Sequence, residues 1–364
     1  MPERGLPPSP VRSRPPEGAP SAGDGPARAE PPLLEVRGLR VSFRTEGGLV
    51  RAVDGIDFEL ARGEVLGLVG ESGSGKSVSL MAMLGLLDAG HAVVEGSVRL
   101  RGRELIGLPA SELRRVRGRE IAMIFQDPMT ALTPVLSIGS QIVEQLRVHT
   151  ALGRAAAKAR AIELLAAVGL PQPAAVYGRY PHQLSGGMRQ RAVIAMALSC
   201  DPSVLIADEP TTALDVTVQA QILALIDRLR RDFGSAVVLI THDMGVVAEL
   251  ADRVMVMYAG RVVERGRAAD LFDEAWHPYT WGLLGSIPPL AGPRPRRLPS
   301  IGGLPPALSA LPPGCAFAPR CAVADPRCGT RPVLAGEGLH QAACVITAPE
   351  RAAARQRCAW PSDD

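Results

Sequence analysis

The sequence predicts an α/β fold built on a largely parallel sheet covered on both faces. Three observations predict it. Short β-branched runs, "LEVRGLRVSF", "GEVLGLVG", "SVLIAD" and "AVVLIT", alternate with helix-like stretches such as "VTVQAQILALIDRLRRDF". Several of these runs are apolar throughout rather than at every second residue, which is the pattern of strands buried on both faces. A glycine-rich segment with a lysine, "GESGSGKS" at Gly70 to Ser77, joins one such strand to a helix-like stretch.

In chain order, residues 1–31 are rich in Pro, Gly, Ala and charge without periodicity and read as a disordered tail. The strand–helix texture runs from Leu34 onward. Between about Asp127 and residue 190 the strand signals stop; "SIGSQIVEQLRVHT" and "RAAAKARAIELLAAVGL" read as amphipathic helices of an all-helical insert. From residue 276 to 364 the chain turns irregular and gathers cysteines, which reads as a C-terminal extension.

Composition narrows the class. The chain has 364 residues, 46% of them apolar, enough to bury a full core. Its net charge of +3 gives no support for bulk electrostatic binding of nucleic acid. No run of apolar residues is long enough to cross a bilayer, and no secretory-type apolar region is expected at the N-terminus. Only Lys76 and Lys158 are lysines, so a lysine inside a glycine loop carries information.

The segment Gly70, Glu71, Ser72, Gly73, Ser74, Gly75, Lys76, Ser77 fits G-x-x-x-x-G-K-[ST] in its required context, after a strand and before a helix. Glycines let backbone N–H groups turn inward on a phosphate, Lys76 reaches the terminal phosphates, and the Ser77 hydroxyl suits Mg²⁺. An ordinary Gly-rich turn is the competing reading. A second acidic site argues against it: "SVLIADEP" ends a buried strand in Asp208, suited to hold the magnesium, and Glu209, suited to polarise the attacking water.

"QLSGGMRQR", residues 183–191, resembles the signature motif of ATP-binding cassette (ABC) ATPases, and the resemblance extends over about Leu34 to Phe272. It implies a P-loop NTPase (RecA-like) core over residues 32–275, with an antiparallel β edge and an all-helical signature subdomain at about 127–190. It implies that Ser185, Gly186 and Gly187 complete the ATP pocket of a facing subunit. Gln126, in "MIFQDP", resembles the glutamine that contacts Mg²⁺ and the water. His242, in "LITHD", resembles the switch histidine at the γ-phosphate, and Asp215, in "TTALD", the loop communicating across the dimer. Phe43 stands near the family's adenine-stacking aromatic, with plain strand packing as the alternative.

Two functional classes fit an ABC core: the energising subunit of a transporter, or a soluble non-transport ATPase. The sequence lacks the tandem cassettes and long coiled coils of the soluble machines, which favours transport. "HPYTWGLLGSIP", "IGGLPPAL" and the cysteine segment resemble the extension of oligopeptide and dipeptide importer subunits, with nickel or another small solute as the alternative cargo. The resemblance implies a peripheral protein on the cytoplasmic side of the cell membrane. Its partners would be a homologous second ATP-binding subunit, two transmembrane permease subunits and an extracytoplasmic solute-binding protein. The segment after Gln126 would face the permease.

Cys315, Cys321, Cys328 and Cys344 are four of six cysteines, spaced C-x5-C, C-x6-C and C-x15-C. Disulfides are disfavoured beside ATP machinery in a reducing compartment. Scattered structural cysteines leave the Gly, Pro and Arg between them unexplained, whereas a metal site explains a loop-like setting. Four thiolates suit a [4Fe-4S] cluster, which the resemblance favours over zinc, and Arg320 and Arg327 stand close in sequence to offset its charge.

Overall fold

The structure, a computed structural model, describes residues 31–212, 214–287 and 300–358. Apart from Pro31, the tail expected to be disordered lies outside the described residues.

The chain opens with two long strands, β1 (Leu34–Thr45) and β2 (Gly48–Leu60), followed by β3 (Val65–Val69) and, after the glycine loop, helix α1 (Lys76–Met83). Strands β4 (Ala92–Leu100) and β5 (Arg103–Glu104), helix α2 (Ala110–Val116) and strand β6 (Ile121–Ile124) come next. Strands β2, β1, β4 and β5 make an antiparallel sheet in that order. Five helices then follow with no strand between them: α3 (Pro128–Ala131), α4 (Ile138–His149), α5 (Arg154–Ala167), α6 (Pro173–Tyr177) and α7 (Gly186–Ala197). Among the described residues, those from 128 to 197 thus hold helices and no strand.

After it come β7 (Val204–Asp208), α8 (Val216–Phe233), β8 (Ala236–Ile240), α9 (Met244–Leu250), β9 (Arg253–Tyr258), β10 (Arg261–Arg267) and α10 (Ala268–Asp273). Strands β6, β7, β8, β3 and β9 run parallel as neighbours. Their residues divide by face. In β7, Val204 and Ile206 enter the core shared with the antiparallel sheet, while Leu205 and Ala207 enter the core shared with the helices. In β8, Val238 and Ile240 take the first face and Val237 and Leu239 the second. Apolar residues at every position are what a strand covered on both faces requires.

The extension holds α11 (Pro278–Gly285), a hairpin of β11 (Ala335–Glu337) and β12 (His340–Ala342), and α12 (Ala348–Arg357). Expected as irregular, it instead lengthens the main sheet: β12 pairs antiparallel with β10 through Glu264 opposite Ala342 and Arg265 opposite Gln341. Tyr279 and Phe317 join Tyr258 in a third core, ring centroids 4.7–5.3 Å apart. A few large rings supply the apolar area that the Pro/Gly-rich composition hides. Among the described residues no helix is long and apolar enough to cross a membrane.

Candidate nucleotide site

The Gly70–Ser77 loop leaves the end of β3 and turns straight into α1. At Gly75 φ is +102°, and a Cβ there would meet the Ala52 carbonyl oxygen at 2.6 Å, so only glycine closes this turn. Lys76 is 6% exposed. Its ammonium donates to the carbonyl oxygens of Gly70 (2.7 Å) and Glu71 (2.9 Å) and to Ser74 Oγ (3.4 Å). Burial pushes the Lys76 pKa down, against the pull of Glu209, Asp208 and Glu71 in the opposite direction. Ser77 Oγ donates to Asp208 Oδ1 at 3.0 Å, joining loop and β7. Burial raises the Asp208 pKa and Glu209 adds repulsion, while Ser77 and Lys76 offset part of the rise. A buried ammonium, a hydroxyl and a carboxylate held in reach of one another fit a triphosphate with a divalent cation.

Glu209 follows directly with φ of +46°, left-handed backbone that a non-glycine residue adopts at a cost of about 1–3 kcal/mol. Its carboxylate gathers partners from the ends of β6 and β8 and from the loop after β7. Gln126 Nε2 donates to it at 3.0 Å, Thr212 Oγ1 donates at 2.8 Å, and His242 Nδ1 lies 3.6 Å away. Gln126 follows β6, Glu209 follows β7 and His242 follows β8, so the carboxyl edge of the parallel sheet collects all three. Thr212 was not singled out from the sequence, although it sits three residues beyond Glu209 in "DEPTTALD".

Other expected residues stay apart from the loop. Ser185 caps α7, its Oγ accepting from the Met188 N–H at 3.4 Å, and Ser185 and Gly186 are exposed. Among the described residues no hydrogen bond links Ser185, Gly186 or Gly187 to residues 70–77. Gly187 packs on Val218, where an added Cβ would meet Cγ1 at 2.9 Å. Asp215 caps α8 by accepting from the Val218 N–H at 3.0 Å. Phe43 is half-buried on β1, packed against the core between the two sheets. Two residues beyond the motifs touch the loop: Tyr279 Oη accepts from the Glu71 N–H at 2.7 Å, and Arg320 pairs with the Glu71 carboxylate.

The cysteines require a correction. Cys315, Cys321, Cys328 and Cys344 line one small cavity with Phe317, Val323 and Ile346. Yet among the described residues no group of three or more His, Cys, Asp or Glu side chains could hold a metal ion, so the expected [4Fe-4S] cluster, or zinc, finds no support. Burial pushes the Cys321 thiol up to about 12 and Cys344 up to about 11, favouring protonated thiols. The arginines expected to offset a cluster's charge are committed elsewhere: Arg320 to Glu71, Arg327 to Asp325 and Glu350.

Comparison with known proteins agrees with this geometry. The family described as ABC transporter matches residues 53–212, and the family described as oligopeptide/dipeptide transporter, C-terminal region, matches residues 263–328. The oligopeptide transport ATP-binding protein OppD of Bacillus subtilis is 51% identical over 275 residues, 75% of this chain and 77% of the relative. A putative peptide import ATP-binding protein of Brucella abortus is 56% identical over 272 residues, 75% of this chain and 82% of the relative. Among solved structures, the dimeric ATP-binding cassette MJ0796 in a post-hydrolysis state with ADP and Pi is 27% identical with a TM-score of 0.58, covering 65% of this chain and 99% of that one. The loop, the acidic strand end and the helical insert thus lie within the first matched family and Tyr279 and Phe317 of the third core within the second, and the chain belongs to the ABC ATPases, among ATP-binding subunits of transporters.

Proposed function

We propose that this chain binds and hydrolyses ATP to energise a membrane importer of di- and oligopeptides. The observation that carries the reading is the meeting of Ser77, Asp208, Gln126, Glu209 and His242 at one sheet edge. Gly70 to Ser77 cradle the phosphates and Lys76 neutralises the terminal ones. Ser77, Gln126 and Asp208 would hold Mg²⁺, which supplies charge neutralisation on the phosphate oxygens when bound. Glu209 accepts a proton from the attacking water, Gln126 orients that water, and His242 donates toward the γ-phosphate. Phe43, half-buried on β1, would place its ring against the adenine.

The exposed Ser185 and Gly186 support a head-to-tail dimer: with Gly187 they present a helix N-terminus to a second subunit's nucleotide, and Asp215 caps α8, whose Val218 packs on Gly187. That subunit is read as a homologue of this chain. The helical insert supports the permease contact. Val135 is 76% exposed on its surface, and a groove of about 660 Å³ lies along Val143, Arg147, Val148 and Tyr177. Two permease subunits, an extracytoplasmic binding protein and a place on the cytoplasmic face complete the assembly. The relatives' peptide-transport names and the matched C-terminal region support the cargo.

Glu209→Gln in the assembled transporter tests the assignment. It is expected to cut ATP turnover by about 10²–10⁴-fold while leaving MgATP binding intact. Near-normal turnover by that variant would refute the role given to Glu209.

A further inference from the structure

We infer that Arg320, on the C-terminal extension, is a positioning residue for the phosphate loop. The inference rests on the reading of Gly70 to Ser77 as the ATP-phosphate cradle.

Lys76 is aimed by two carbonyl oxygens, those of Gly70 and Glu71. Where these carbonyls sit depends on what holds Glu71: the Ser74 N–H of the loop itself donates to its carbonyl oxygen at 3.2 Å, and two further holds come from outside the core motifs. Tyr279 Oη accepts from the Glu71 N–H at 2.7 Å. Arg320 grips the Glu71 carboxylate with both ends of its guanidinium, Nη1 to Oε2 at 2.6 Å and Nη2 to Oε1 at 2.9 Å. This is the paired geometry that fixes direction as well as distance.

Arg320 is itself pinned. Its side chain is 4% exposed, Nε donates to the Gly302 carbonyl at 2.9 Å, and Nη1 donates to Tyr258 Oη at 3.3 Å. The guanidinium also lies over the rings of Tyr258 and Phe317. Glu71 holds the Arg320 guanidinium well above its usual range. Tyr279 and Phe317 are fully buried in the third core, so the grip has a rigid base.

Two effects on ATP follow from this contact. The clamp fixes the loop before nucleotide arrives, which removes an ordering cost from binding. It also neutralises a carboxylate next to the place where the triphosphate sits, and that carboxylate is close enough to act on Lys76. Both effects favour bound ATP and transition state alike, so they belong in KM more than in kcat.

The test is a double-mutant cycle on the full chain, reading MgATP affinity by calorimetry and KM and kcat in the assembled transporter. Arg320→Ala is expected to raise Kd and KM by about tenfold with kcat changed less than about twofold. In a Glu71→Gln background the same substitution should change Kd by less than about twofold, and Arg320→Lys should recover part of the loss. Amide exchange of residues 71–75 without nucleotide should quicken in Arg320→Ala and in Glu71→Gln. The second variant keeps the extension whole and carries the test should the first not fold. An unchanged Kd, an equal loss with and without the Glu71 carboxylate, or a fall confined to kcat overturns the inference. Lys76→Ala serves as the separate control: if it binds MgATP normally, the phosphate-loop reading fails rather than the role of Arg320.

Discussion

His277 gives the protein a pH dependence that can be worked out from its surroundings. The side chain is 1% exposed, its Nδ1 accepts from the Tyr279 N–H at 3.1 Å to cap α11, and the Phe317 ring centroid lies 5.9 Å away. The nearest acid is Glu264 on β10, which accepts from the backbone N–H groups of Trp276 and His277 and is hydrogen-bonded to His340 Nε2. Burial wins over the pull of Glu264 and pushes the His277 pKa down to about 4. A neutral imidazole is therefore the folded form. Between pH 6.5 and about 4 the unfolded chain takes up a proton that the folded chain refuses, so stability is full above pH 6.5 and is lost as the pH falls toward 4. The loss amounts to about 2 kcal/mol at pH 5 and about 3 kcal/mol below pH 4. Urea unfolding of the full chain at pH 7.5, 6 and 5 beside His277→Asn measures it. The asparagine oxygen keeps an acceptor for the Tyr279 N–H but does not titrate. The stability difference between the two proteins should move by about 2 kcal/mol in favour of His277→Asn on going from pH 7.5 to pH 5. In proton NMR the His277 ring signal, one of six histidines, should stay fixed from pH 8 to pH 5. Parallel stability curves for the two proteins, or a His277 signal titrating near pH 6.5, would refute the reasoning.

Two further substitutions probe the switch and signature elements. Gly187→Ala drives a methyl against Val218 and should cost about 1–3 kcal/mol in urea unfolding unless α7 shifts, in which case the ATPase rate falls instead. Asp243→Ala removes the side chain that accepts from the Gly245 and Val246 N–H groups and from Gln219, and should lower stability by about 1 kcal/mol. An unchanged unfolding midpoint counts against that cap.

The cysteine segment is where reading residues by spacing met its limit. Four thiols within thirty residues suggested ligands, and the fold does bring them to one cavity. A ligand set, however, needs its sulfur atoms at bonding distance of a common point and a charge to offset the thiolates. Spacing along the chain fixes neither. Of the arginines beside the cysteines, Arg320 faces Glu71, and Arg327 faces its neighbour Asp325 and Glu350 of the α12 cap.

What the sequence determined by itself was everything carried by local chemistry. Gly75 and Lys76 declare the phosphate loop because only glycine takes that backbone and only a cation belongs there. The runs "VLIAD" and "AVVLI" declare buried parallel strands because both faces are apolar, and the ends of such strands place Glu209 and His242. Tertiary structure alone decided contacts between residues far apart in the chain. Gln126 reaches the Glu209 carboxylate across 83 residues, Arg320 closes on Glu71 across 249 residues, and β12 extends a sheet begun at β3. Such pairings depend on where the folded backbone returns, and no pattern within a single segment records that.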